Sequence, residues 1–231
     1  MVYCKNERIE AQKDEKRKLI FRAAARVFVR HGYHKTTVKE IVEEAGVSVG
    51  TFYLYYKNKE DIFEKIFDSV VNILSTISGA VIRQGEYSLV ERFCRATTAA
   101  LWAVEHFRDL SRIVIVEAVG LNPKLEEKRI AAMNESYLRM EKLLRSLQER
   151  ELIHIPDPGV TALALEGASL NVRTYWLLSE SKEPLRTCVF DLLVFYFQAL
   201  QVQFDMDEVR ESIRTMLAEL DADPERYVSF C

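Results

Sequence analysis

Three kinds of side-chain chemistry are open to this 231-residue chain, and spacing decides among them. Gly46-Val47-Ser48-Val49-Gly50 fits GxSxG, the nucleophile elbow of hydrolases, in which a serine stands on a sharp turn between a strand and a helix. The elbow needs a strand before the serine. Here Ile41 to Ala45 carry a helical pattern opened by Thr37-Val38-Lys39-Glu40, a capping box, so Ser48 is expected to cap a helix. His31 and His34 are three apart but straddle Gly32, and no carboxylate or thiol completes a metal set; His106 and His154 are isolated. Cys4, Cys94, Cys188 and Cys231 lie far apart without CxxC spacing and are expected to be reduced thiols. No GxxxxGK[ST] or GxGxxG loop offers a phosphate cradle. The sequence therefore predicts no catalytic residues, no metal and no cofactor.

Binding chemistry is the stronger signal, and it gathers just after Ser48. With about 100° of rotation per helical residue, Phe52 and Tyr56 fall on one side, where Ile41, Val42 and Val47 can receive them. The opposite side presents Gly50 and Leu54, flanked by Thr51 and Tyr53, with no charged group. Such a face suits a major groove: glycine lets the backbone approach, threonine can bond a base or phosphate, and leucine can touch a thymine methyl. Tyr53, Tyr55 and Lys59 then stand near the groove walls, where hydroxyl and ammonium groups can bind phosphates. The same surface could instead dock a protein, which leaves a helical adaptor, or a helical enzyme with a basic head, as alternatives.

Positioning that face takes several helices. Eight glycines and five prolines interrupt 231 residues, and apolar residues between them recur at helical spacing, so the chain is expected to be all α. A first helix over 14–31 places Ile20, Ala24, Val27 and Phe28 on one face and stops at Gly32. A second follows the Thr37 box to Ala45 and ends at Gly46; a third covers about 49–56; a fourth, capped by Asn58, runs to about Arg83. Gly85, Gly120-Leu121-Asn122-Pro123, Pro156-Asp157-Pro158-Gly159 and Pro184 divide the remainder into five or six helices. Helix, a short turn with glycine and a second short helix make a helix-turn-helix. Charge agrees. Residues 1–59 carry thirteen Lys and Arg against seven Asp and Glu, a balance of +6, which leaves −9 on 60–231. A basic head on an acidic body suggests that the head alone meets a polyanion. No apolar run is long enough to cross a membrane and the first eighteen residues are mostly charged, so a cytoplasmic protein is expected.

The string Gly32-Tyr33, Thr36-Thr37-Val38, Ile41 to Ser48 and Gly50 to Asp61 resembles the DNA-binding domain of the tetracycline-repressor (TetR/AcrR) family over about residues 14–66. The resemblance implies a helix-turn-helix domain over 1–59 and a larger helical regulatory, ligand-binding and dimerisation domain over 60–231. It implies a dimeric repressor that binds double-stranded DNA at a palindromic operator and is released by a small, hydrophobic effector. Thr37, Tyr53, Tyr55 and Lys59 would contact the DNA backbone, and Ser48, Val49, Gly50, Thr51 and Leu54 would sit at or near the groove. Many relatives have histidine at the position of Leu54 and phenylalanine at that of Tyr56.

For the body, the helices near residues 158–180 and 184–203, with Phe190, Leu193, Val194 and Phe197 on a recurring face, are expected to form a four-helix dimer interface, the alternative being that this face packs on its own subunit. An effector pocket is expected among Phe67, Leu74, Leu101, Trp102, Tyr137 and Trp176, with Glu117, Asn171 and Arg173 either orienting the ligand or pairing within the fold. The fourth helix, shared by head and body, is the expected lever.

Overall fold

The computed structural model describes residues 2–82, 87–179 and 182–224. Among them the chain is all α, in the order α1 (Val2–Lys35), α2 (Val38–Ala45), α3 (Val49–Tyr53), α4 (Lys59–Ile82), α5 (Leu89–His106), α6 (Arg108–Arg112), a π-helical turn (Ile113–Glu117), α7 (Pro123–Glu149), α8 (Pro158–Leu178), a 3-10 turn (Leu185–Cys188), α9 (Val189–Ala199) and α10 (Met206–Ala222). The expected breaks at Arg83 and Gly85 lie outside the described residues.

Local chemistry accounts for most boundaries. Thr37 accepts from the Glu40 amide while the Glu40 carboxylate accepts from the Thr37 amide, the expected capping box, and Gly46 ends α2 at φ 63°, a left-handed cap suited to glycine. Ser48, Asn122 and Asp157 cap α3, α7 and α8, the last two followed by proline at the first helical position. A second capping box, Ser88 with Glu91, starts α5. The first helix differs from expectation. It begins well before residue 14, breaks at Gly32 (φ 72°, ψ 166°) and resumes for one turn to Lys35.

Packing ties head to body. Ile20, Phe28, Ile41, Phe52, Ile62, Phe63 and Ile66 are fully buried in one cluster, which also takes in Ile113, Val114, Ala118 and Leu125 from the body. No seam in the apolar packing follows residue 59. The second cluster joins α5, α7, α8 and α9, and the third sets Ile73 and Ile77 of α4 against Trp102 of α5 and Met216 and Leu220 of α10. Leu74 touches all three. Arg95 pairs with Glu219 at 2.5 Å and the Trp102 indole donates to Asp221 at 2.7 Å, which fixes α10 on α5.

Two expectations about the body are corrected. Leu193 and Phe197 are fully buried in their own subunit, and Phe190 lies under the Arg210 guanidinium at 4.5 Å, so this face is spent on the chain's own core. The stripe left open runs along α8 through Val160, Leu163, Ala164, Gly167, Tyr175 and Leu178, apolar or small except for Asn171 within it. The residues expected to form one pocket do not converge. Phe67, Leu101 and Trp102 sit in three different clusters, whereas Asn171 and Trp176 line an open groove of about 480 Å³ between the end of α8 and residues 183–188.

Candidate nucleic-acid interface

The short helix α3 stands on two buried aromatic rings. Phe52 is fully buried and Tyr56 nearly so; the Tyr56 hydroxyl donates to the Arg17 carbonyl of α1 at 3.2 Å, and burial pushes that phenol up to about 12. Losing the Phe52 ring would cost about 3–5 kcal/mol. With this side anchored, the other faces outward: Val49, Tyr53 and Leu54 are 47%, 55% and 79% exposed, and Ser48 and Gly50 are exposed beside them. A Cβ added at Gly50 would meet only the Ser48 hydroxyl, at 3.8 Å, so a partner can come close to this backbone. Thr51 exchanges a hydrogen bond with Ser48 Oγ at 2.8 Å, and its amide donates to the same oxygen at 3.1 Å.

This helix is one turn shorter than expected. Leu54 and Tyr55 form a turn after Tyr53, and Tyr55 is half-buried against the head's core. The neighbouring helix is held by charge: Glu44 of α2 accepts from Arg26 at 2.8 Å and from Arg30 of α1, and these guanidinium groups, Arg30 first, hold its carboxyl below the usual range. Thr37 remains exposed at the start of α2.

Lys59 departs from its expected place on a groove wall. Its ammonium donates to the carbonyls of Tyr33 and Thr36, each at 2.8 Å, and lies 4.3 Å from the centre of the Tyr33 ring, satisfying the frayed end of α1. Burial lowers its pKa. Lys57, two residues earlier, is exposed. Sequence reasoning passed over it because both lysines follow the tyrosines, and only the fold shows which one turns inward.

Glu117 is also relocated. It leaves the π turn to meet α1: a Cβ at Gly32 would stand 3.7 Å from its Oε2, a buried oxygen with no hydrogen-bond partner among the described residues. Arg112 Nε is 3.9 Å from its other oxygen and donates through Nη1 to the Leu177 carbonyl at the end of α8. Burial raises the Glu117 pKa, against the pull of Arg112 and the Tyr33 amide. This carboxylate sits at the joint between head and body and not in a ligand pocket.

Residues 20–66 match the family model described as "Bacterial regulatory proteins, tetR family". The chain belongs to the TetR family of transcriptional regulators. Its relatives include the fatty acid metabolism regulator protein of Bacillus subtilis (strain 168), 29% identical over 194 residues that cover 79% of this chain and 96% of that protein. The HTH-type transcriptional regulator HbdR of Aromatoleum sp. (strain CIB) is 38% identical over 133 residues, covering 57% of this chain and 55% of that one. The crystal structure of FadR from Bacillus subtilis in complex with stearoyl-CoA superposes with a TM-score of 0.67 at 21% identity, covering 79% of this chain and 98% of that chain. These likenesses identify a helix-turn-helix, DNA-binding regulator and place α2 and α3 as the helix pair of the motif.

Proposed function

We propose that this TetR-family chain is a dimeric repressor that lays α3 in the major groove of a palindromic operator and is released by a hydrophobic small molecule taken up by its helical body. The observation that carries the reading is the outer face of α3, uncharged and exposed at Val49, Tyr53 and Leu54 while Phe52 beneath it is fully buried. In this reading residues 1–59 form the head, and Gly50, Thr51 and Leu54 meet base edges with Ser48 and Val49 at the groove's rim. Thr37, Tyr53 and Tyr55 bind phosphates, and the exposed Lys57 supplies the cation expected of Lys59, whose ammonium keeps one N–H for such use.

Residues 60–231 supply dimerisation and effector binding. The open stripe of α8 supports pairing of two copies, joined by Phe195 of α9, 45% exposed. Gly167 on that stripe has open space where a Cβ would stand, so a partner helix can approach closely. Two symmetric heads then read two half-sites. Half-buried apolar side chains of α4, the π turn and α7, among them Leu74, Val116 and Met140, and the stearoyl-CoA held by the Bacillus subtilis FadR structure support an apolar effector.

Fluorescence anisotropy with labelled DNA from upstream of the protein's own gene tests this reading. Affinity should fall steeply with salt, as released counterions require, and octadecanoyl-CoA should displace the DNA. Salt-independent association would favour a protein-docking surface, and indifference to every apolar probe would remove the effector.

A further inference from the structure

Hydrogen-bonding side chains are scarce on the outer face of α3. From Ser48 to Tyr56 the chain has no Arg, Lys, Asn, Gln, Asp or Glu, the residues that grip a guanine, adenine or cytosine edge through paired or charged hydrogen bonds. Two hydroxyls remain near the start of the helix, and they bond each other. Ser48 Oγ lies 2.8 Å from Thr51 Oγ1 and accepts from the Thr51 amide at 3.1 Å, so the pair keeps a single O–H to offer outward, whichever of the two donates. One O–H bonds guanine O6, thymine O4 or either purine N7 equally well and distinguishes little. Cations of the neighbouring elements serve elsewhere. Arg26 and Arg30 hold Glu44, Lys59 holds the carbonyls of Tyr33 and Thr36, and Lys39 of α2 extends beside Glu43, 3.9 Å away. The exposed Lys57 serves phosphate in the reading above.

Apolar groups make up the rest of the face. Leu54 is 79% exposed and Val49 47%, and neither belongs to the head's core, which takes Phe52 and Tyr56 from the same segment. They lie on either side of Gly50, where an added Cβ would meet only the Ser48 hydroxyl, so the helix can settle deep in a groove with both side chains in contact. The major groove offers such groups one apolar partner, the C5 methyl of thymine. 5-Methylcytosine carries the same methyl in the same place; cytosine and uracil lack it.

We propose that this protein reads its operator chiefly through pyrimidine 5-methyl groups, with Leu54 and Val49 as the residues that contact them. Its half-sites therefore carry thymine under α3, and 5-methylcytosine can stand in for it. The proposal rests on the reading that α3 lies in the major groove and adds what is recognised there. Each methyl buried against these side chains contributes about fourfold to affinity.

Synthetic duplexes test this one methyl at a time. The palindrome that the full-length protein selects from random double-stranded DNA is remade with deoxyuridine for thymidine at one symmetric pair of positions after another, which removes the methyl and keeps every hydrogen-bonding group. At least one pair should raise the Kd about fifteenfold, fourfold from each half-site. With C·G pairs placed there instead, 5-methylcytosine should bind more tightly than cytosine by a similar factor. Leu54→Ala or Val49→Ala should erase the uracil penalty at the position it contacts and keep it at others. Both variants should hold the native melting temperature and salt slope, since the side chains are exposed and uncharged. Altered duplex stiffness is a second effect of uracil, and a penalty from that source would persist in both variants. A selected palindrome without thymine in its half-sites, uracil duplexes bound as tightly as the originals, or a uracil penalty that both variants keep in full overturns the proposal and leaves the DNA-binding reading standing. If no palindrome is selected, that reading fails and this one with it.

Discussion

Single side chains divide here by how far away their partners lie. Thr37 and Ser48 satisfy amides three residues on, so their roles follow from the sequence. Lys59 reaches the carbonyls of Tyr33 and Thr36, 26 and 23 residues earlier, and no local pattern announces such a contact. Two substitutions separate the paired lysines. Lys57→Ala should weaken DNA binding and reduce the log–log salt slope by about one, whereas Lys59→Ala should chiefly lower the melting temperature. Glu117 gives a test by pH. Its folded pKa is raised above the ordinary 4.5, so its contribution favours the fold below that value and is lost as pH rises through the folded pKa. Glu117→Gln should therefore raise the melting temperature at neutral pH, a gain that shrinks as the pH approaches 4.5. A constant gain across that range would contradict this account of the buried carboxylate.

Helices were legible where each end carried its own signal. Gly46, in a left-handed conformation at φ 63°, ends α2 as expected, and Gly46→Ala should cost about 1 kcal/mol, seen as an earlier urea midpoint with an unchanged slope. The box at Ser88 went unread, although the Ser-x-x-Glu spacing alone announces it. The π turn at 113–117 gave no warning, because apolar residues in series fit an α-helix equally well. Periodicity also found a buried face on α9 but could not say whose surface buries it: Leu193 and Phe197 pack on their own subunit, and the unpartnered stripe belongs to α8. Leu163→Glu, at a position 57% exposed, should leave the melting curve of the fold nearly unchanged while converting a dimer to monomer by sedimentation. A variant that still sediments as a dimer would move the interface elsewhere.

The whole molecule couples its parts through α4. Ile62, Phe63, Ile66 and Phe67 belong to the head's core, and Ile73 and Ile77 to the body's. The start of α7 is tied to the same helix, with Lys124 2.7 Å from Glu64, Lys128 2.6 Å from Asp68 and Asn122 donating to Glu60 at 2.8 Å. Any effector that moves α7 therefore pulls on the helix that carries the head. Head and family were readable from residues 14–66 because the motif is short-range and repeats no other pattern in the chain. The pocket was not, because apolar spacing marks core and cavity alike, and Phe67, Leu101 and Trp102 proved to be core. Selection from a random pool of double-stranded DNA tests whether α3 reads DNA as one of a symmetric pair. The native protein should enrich a palindrome, and the Thr51→Ala, Tyr53→Ala double variant, folded to the same melting temperature, should not. A native protein that enriches no sequence at low salt, with and without effector probes, or a double variant that enriches the same palindrome equally well, would contradict the account.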